Sequence, residues 1–289
     1  MKTKRDYVWI YLFLAPSVII FLSFYIVPII TVFFTSFTKW DGYNLPQFIG
    51  LDNYIALFQS SVFQISLRNL LGWSVIAATL HVGFGTLVAF VLFRQRPGWR
   101  MTRGVFMIPN VISAAAWAMI YKFVFNNDFG IINSMIRVIA PGFQANWFFA
   151  SPWAFWAITL TWLFYAVYVT LIVLTELMAV PQDLHEAAML DGATAMKTIL
   201  HIDLPLCRNA IGTGVILSIT SRVAMYESIA LTSRGGPGDD TQNIPLILVK
   251  AINDLKYGYA NASAVIMFVI GIATLLLVNW LFRMKESVY

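Results

Sequence analysis

The chain has 289 residues, of which 59% are hydrophobic and 11% charged, with a mean hydropathy of +0.74. Soluble domains carry roughly 25% charged residues, so the composition excludes a soluble globular protein and points to an all-α, polytopic membrane protein. The net charge of +5 comes from basic residues gathered at the ends of apolar runs, which is no nucleic-acid footprint. The single Cys207 excludes an intrachain disulfide and a cysteine-built metal site.

Crossing about 30 Å of hydrocarbon takes roughly 20 helical residues. Runs of that length lie near residues 10–35, 70–93, 105–125, 154–177, 211–230 and 262–282. Each must be helical, because lipid offers backbone polar groups no other partner. The first run has no small-x-small cleavage site and reads as a retained helix. The whole of 1–289 reads as a single transmembrane domain. Lys2, Lys4, Arg5, Arg94, Arg96, Arg100, Arg103, Lys197, Arg208, Arg283 and Lys285 fall on one side of a six-span chain. Lys39, Arg68, Arg137, Arg234, Lys250 and Lys256 are spread over longer stretches on the other. Both termini and the 181–205 loop are therefore expected in the cytosol.

In the first span, Pro16 and Pro28 predict kinks. The segment Phe48 to Phe58 reads as amphipathic and interfacial. His81 stands alone in the second span and reads as a buried, hydrogen-bonded histidine. Gly83 and Gly85 beside it suggest close helix packing. Asp128 and Gly130 make a turn after the third span. Trp147, Trp153, Trp156 and Trp162 crowd the start of the fourth. They read either as interfacial anchors or, for one on the bundle interior, as a stacking face for a sugar ring.

Residues 181–205 form the longest polar interruption on the cytosolic side. Pro181 suits a first helical turn, Asp183 and Glu186 favour its positive end, and Ala187 to Leu190 propagate it. Gly192 is placed to end the helix in the left-handed conformation. Thr194 can cap a second helix from Ala195 to about His201, and Pro205 can open the next apolar run. Ala187 and Ala188 permit close approach, and Leu184 and Leu190 supply apolar anchors, so this elbow is suited to another protein's groove.

The fifth span carries Arg222, with Tyr226 and Glu227 nearer its outer end. An arginine mid-span normally has an interior partner, and Glu227 at i+5 is poorly placed to be it on a straight helix. The partner is then another helix, a second subunit or a cargo. A cargo partner would be anionic, such as a uronate; a structural ion pair is the plainer alternative.

The sequence Glu186-Ala187-Ala188, Asp191-Gly192-Ala193, then Ile202, Leu204 and Pro205, resembles the EAA loop of ABC importer permeases. The resemblance extends from Leu14 to Phe282. It includes Leu14-Ala15-Pro16, Phe48 to Tyr54, Arg103 to Pro109, Asn126 to Asn133 and Gly258-Tyr259-Ala260. It departs at Ile199, often Phe in the family, at Asn209, often Pro, and at Ser233-Arg234, which interrupt a glycine run. The pattern is that of the first of two permeases in carbohydrate-type importers. The resemblance implies a bacterial or archaeal cell-membrane subunit that pairs with a second, related permease. It also implies an ATPase dimer docked on the elbow and an extracytoplasmic solute-binding protein. The implied ATPase-coupling residues are Leu184, Glu186, Ala187, Ala188, Asp191, Gly192, Ala193, Leu204 and Pro205. The candidate translocation path is Trp162, Arg222, Tyr226 and Glu227. The cargo would be a sugar or oligosaccharide, with a glycerol-phosphate-type solute as the alternative. An uncoupled channel or scaffold is the competing class.

The sequence has no P-loop motif, no His-Glu-x-x-His and no Gly-x-Ser-x-Gly. Catalysis, metal and cofactor are therefore not expected on this chain, and ATP and Mg would belong to the partner ATPase.

Overall fold

The computed structural model describes residues 4–282; Lys2, Arg283 and Lys285 lie outside it. The described chain is helical apart from one two-stranded antiparallel ribbon, Thr38–Lys39 with Gln47–Phe48. It divides into two compact units.

One unit holds residues 4–60 and Ile247–Phe268. Its apolar helix Trp9–Thr35 is exposed along nearly all its length. The helix opens into a π-turn at Leu22–Ile26, where the Val27 N–H reaches back to Leu22 O. Pro28 follows and cannot donate to the turn before it, so the wider turn absorbs its ring. The ribbon is tied down by Asn53, whose Nδ2 donates to Ser36 O (2.8 Å) and Thr38 O (2.9 Å). The helix Asp52–Gln59 is amphipathic as expected, with Leu57 buried and Leu51, Ile55 and Phe58 exposed.

The other unit holds Ser61–Leu246 and the described residues from Val269 onward. The second span begins at Ser61, well before the expected residue 70, so Arg68 lies within a helix and not in a loop. The helix Val82–Phe93 packs on Val167–Ala179, which also packs on Arg208–Val223. Glycine makes both approaches possible. A Cβ on Gly85 would fall 2.8 Å from Val169 Cβ and 2.9 Å from Ala166 Cβ, and one on Gly214 would fall 3.2 Å from Val169 Cγ1. Gly83 meets nothing within 4 Å and takes no part. Cys207 is fully buried in this packed layer with Leu177 and Ala210, a small apolar residue as expected.

The third, fourth and fifth runs are not straight spans. The third bends by 103° between Trp99–Val111 and Ala114–Val124. The fourth breaks after Leu163 and resumes at Val167. The fifth ends at Val223, and a separate short helix covers Glu227–Ala230. Arg222 is thus in the last turn of its helix.

Between the third and fourth runs, Asn126 Oδ1 accepts from the N–H groups of Asp128 and Phe129, which makes the expected turn. Buried Asn133 then donates to Asn127 O and Ala145 O and accepts from Trp147 Nε1 at 2.7 Å. Trp147 therefore serves the loop's own fold. Trp153 and Trp156 are 41% and 49% exposed, as interfacial anchors would be.

Candidate functional site

Lipid tolerates non-helical backbone only where protein buries it or where it lines a watered cavity. The three helix breaks at 112–113, 164–166 and 224–226 all border one hollow of about 350 Å³. At the second and third breaks the carbonyls are held by side chains from other elements. Trp117 Nε1 donates to Thr161 O (2.8 Å) and His81 Nδ1 to Leu163 O (3.0 Å), and Asn243 Nδ2 donates to Met225 O. His81 is thus the buried, hydrogen-bonded histidine expected, and its bond caps a broken helix.

A second hollow, of about 460 Å³, shares Trp162, Tyr165, Tyr168, Ser221 and Arg222 with the first. The structure brings all four path candidates, Trp162, Arg222, Tyr226 and Glu227, to the first hollow. Glu227 is not the partner of Arg222. Among the described residues no carboxylate lies within ion-pair distance of that guanidinium. Its Cζ sits 4.2 Å from the Trp162 ring centroid. Its Nε and Nη2 reach only Ser221 Oγ (3.3 and 3.1 Å), and its Nη1 reaches Met225 Sδ at 3.8 Å. Trp162 is 5% exposed, and its Nε1 has no acceptor among the described residues. Tyr165, beside it, donates to Asn110 Oδ1 at 2.9 Å.

The elbow takes the expected form with small shifts. Pro181 is the N-cap residue, and the helix runs Gln182–Leu190 with Asp183 in its first turn. Gly192 has φ +72. Its N–H bonds to Met189 O at 3.1 Å, and the Ala193 N–H bonds to Ala188 O at 2.9 Å. These two bonds close a complete C-terminal cap. Asp191 is the exposed last residue before the turn. Thr194 Oγ1 accepts from the Lys197 N–H and starts the second helix.

That helix runs on past His201. It widens to a π-turn at Ile199–Asp203 ahead of Pro205 and continues to Leu206. Pro205 does not open the next run. The chain instead turns by 67° at Cys207 into Arg208–Val223. Leu184, Met189 and Leu190 are exposed, Leu190 at 90%. Ala187 is exposed, but Ala188 is buried in its own chain and is not free to meet a partner. Glu186 is exposed and accepts from Gln182 Nε2 at 2.9 Å, so it does not cap the helix start. Leu204 is half-buried and Pro205 exposed.

The family's sequence profile, the binding-protein-dependent transport system inner membrane component, matches residues 81–286, which span both the elbow and the hollows. The chain belongs to this family of transport permeases. A probable ABC transporter permease, YesP of Bacillus subtilis, is 30% identical over 280 residues, covering 95% of this chain and 90% of its own. The trehalose/maltose permease MalF of Thermococcus litoralis is 28% identical over 267 residues, covering 90% and 88%. A bacterial ABC transporter that imports the acidic polysaccharide alginate shares the fold. Its TM-score is 0.84 at 21% identity over 98% of each chain. The chain is accordingly a multi-pass inner-membrane permease.

One contact in this permease was not foreseen. His185 Nε2 lies 2.8 Å from Asp203 Oδ1 and ties the two elbow helices together. The only sequence signal was a polar residue at position 203 in an apolar-patterned turn. Asp203 is buried, so removing its partner leaves a buried carboxylate unpaired. We expect His185→Ala to cost about 3 kcal/mol of local stability and to raise amide hydrogen exchange across 182–206. Asp203→Asn keeps an acceptor for the ring and should cost less. Equal protection in the two variants would show that the contact does not brace the elbow.

Proposed function

We propose that this permease is one half of the membrane pore of an ATP-driven importer for a sugar or oligosaccharide, the elbow being its contact with a separate ATPase. The observation that carries this is the elbow itself. Its helix end is fully capped, yet it presents Leu184, Met189 and Leu190 to solvent. Exposed apolar side chains on an ordered, internally satisfied turn mark a partner surface. The cargo class is supported by relatives whose names give sugars, among them trehalose/maltose and the starch degradation products of AmyD from Thermoanaerobacterium thermosulfurigenes.

The mechanism follows the covalent path. The second elbow helix turns at Cys207 into Arg208–Val223, whose far end carries Arg222 to the hollows. That helix has 16 residues, so it is a lever of about 24 Å. Closure of an ATPase dimer on ATP and Mg would displace the elbow, which His185–Asp203 makes a single body, and swing the cavity end of the lever. A second, related permease would complete the path in a heterodimer, and a solute-binding protein would deliver cargo from outside. Coupling needs only that these contacts differ between the two states. By the positive-inside rule, Arg94 to Arg103 support an elbow and both termini on the cytosolic side of a bacterial or archaeal membrane. The permease itself binds no nucleic acid, cofactor or metal in this scheme.

The test is affinity purification of the tagged permease from its native host, with a cysteine at position 190 for crosslinking. We expect an ATPase subunit crosslinked at 190, and no ATP hydrolysis by the permease freed of it. An intact membrane assembly without any ATPase would leave a channel or scaffold as the better reading.

A further inference from the structure

The two hollows contain donors that lack acceptors. Arg222 presents a planar fork of N–H groups, yet it meets only one hydroxyl oxygen and one thioether. Trp162 Nε1 is buried with nothing to accept its proton. The guanidinium is held in place by stacking on the Trp162 ring, so it is pre-oriented without being neutralised. An arginine in a membrane segment that is neither paired nor snorkelled is costly unless something supplies the missing charge. The hydroxyl of Tyr165 adds a polar edge, and the Trp162 and Tyr165 rings add apolar faces.

We infer that Arg222 and Trp162 form the recognition site for an acidic saccharide, with the sugar's oxyanion taken by the Arg222 fork. This rests on the sugar-importer reading above and narrows its cargo. Three features favour the cargo over a carboxylate on the second permease. Arg222 lines two half-open, concave hollows, not a flat face. The second idle donor, Trp162 Nε1, belongs to a side chain 95% hidden within this chain, where another subunit's backbone has little access. The backbone at the breaks is irregular, as expected where a cavity carries polar solute. Glu227 opens the next short helix, lines the same first hollow and is not paired with the arginine. It would repel an anion that strayed from the fork and so helps to set its position.

The experiment uses the native host with the permease gene deleted and restored. Cells receive a mixture of oligosaccharides from pectate, alginate and glucuronoxylan digests together with neutral digests of starch and galactan. Depletion from the medium is followed by mass spectrometry. We expect only saccharides carrying an acidic group to disappear faster when the permease is present. Arg222→Gln should slow that uptake by at least about tenfold with the purified assembly unchanged in composition. Arg222→Lys keeps the charge but loses the fork and its planar stacking, so its uptake should fall between those of the parent and Arg222→Gln, an ordering that loss of ring stacking alone does not produce. Permease-dependent uptake confined to neutral saccharides overturns the acidic site and leaves the sugar-importer reading standing. No permease-dependent uptake of any saccharide overturns both. Loss of the second permease from the purified Arg222→Gln assembly assigns Arg222 to a subunit contact and overturns the site.

Discussion

Gly192→Val should abolish binding-protein-stimulated ATP hydrolysis in the assembled transporter, while the complex still inserts and purifies. Gly192 has φ +72, and a Cβ there would meet nothing within 4 Å. The penalty is therefore purely conformational, about 1–2 kcal/mol for an ordinary L-residue and more for a β-branched one. The chain escapes it by leaving the left-handed region. That breaks the Gly192–Met189 and Ala193–Ala188 bonds and re-aims Leu190. Gly192→Asn supplies the control, because asparagine visits this region readily. We expect Asn to keep most of the stimulated rate and Val to lose more than nine-tenths of it, by order of magnitude. Equal rates in the two variants would show that the turn's geometry is not what couples.

Gly85→Leu should prevent the permease from folding into a monodisperse particle. The new side chain would start 2.8 Å from Val169 Cβ and 2.9 Å from Ala166 Cβ, atoms fixed to a neighbouring backbone and unable to rotate away. Overpacking of this kind costs about 1–3 kcal/mol where the surroundings can yield. Here they yield little, because Val169 is also packed against Gly214, where a Cβ would fall 3.2 Å from its Cγ1. Separating the helices would also strain the Thr170 Oγ1 bond to Gly85 O. Thermal unfolding in detergent checks this. Leu should lower the midpoint sharply, and Gly83→Leu, where a Cβ meets nothing within 4 Å, should leave it near the parent value.

What the sequence disclosed divides along the line between local and distant causes. The first part of the elbow was legible because its turns are set by one or two neighbouring residues, proline at 181, glycine at 192 and threonine at 194, whereas the π-turn at Ile199–Asp203 and the 67° bend at Cys207 were not. The number and rough position of the apolar runs were legible from hydropathy alone. The helix breaks were not. Phe164-Tyr165-Ala166 and Ala224-Met225-Tyr226 contain no glycine or proline, and nothing local ends a helix there. They end because His81, Trp117 and Asn243, all far away in sequence, bond the freed carbonyls. Arg222 drew notice from its charge, but its position in a last turn over Trp162 depended on those same breaks. Of the four tryptophans, burial separates Trp147 and Trp162 from the two exposed ones, and the bond to Asn133 assigns Trp147 to the loop while Trp162 lines the cavity.

The exposure of Trp9–Thr35 bears on how the protein is made. This helix precedes the other described spans in chain order, so it leaves the ribosome before they do. With a mean hydropathy of 2.5 in its most apolar window and almost no buried surface, it can pass sideways from the translocon into lipid without waiting for them. The Ser61–Phe93 and Trp153–Ala179 helices bury far more of their surface and carry polar groups such as His81 and Thr170 that find partners only in the finished bundle. Biogenesis should therefore run in two phases, with early release of Trp9–Thr35 and retention of Ser61–Phe93 and Trp153–Ala179 near the insertion machinery until they can pack together.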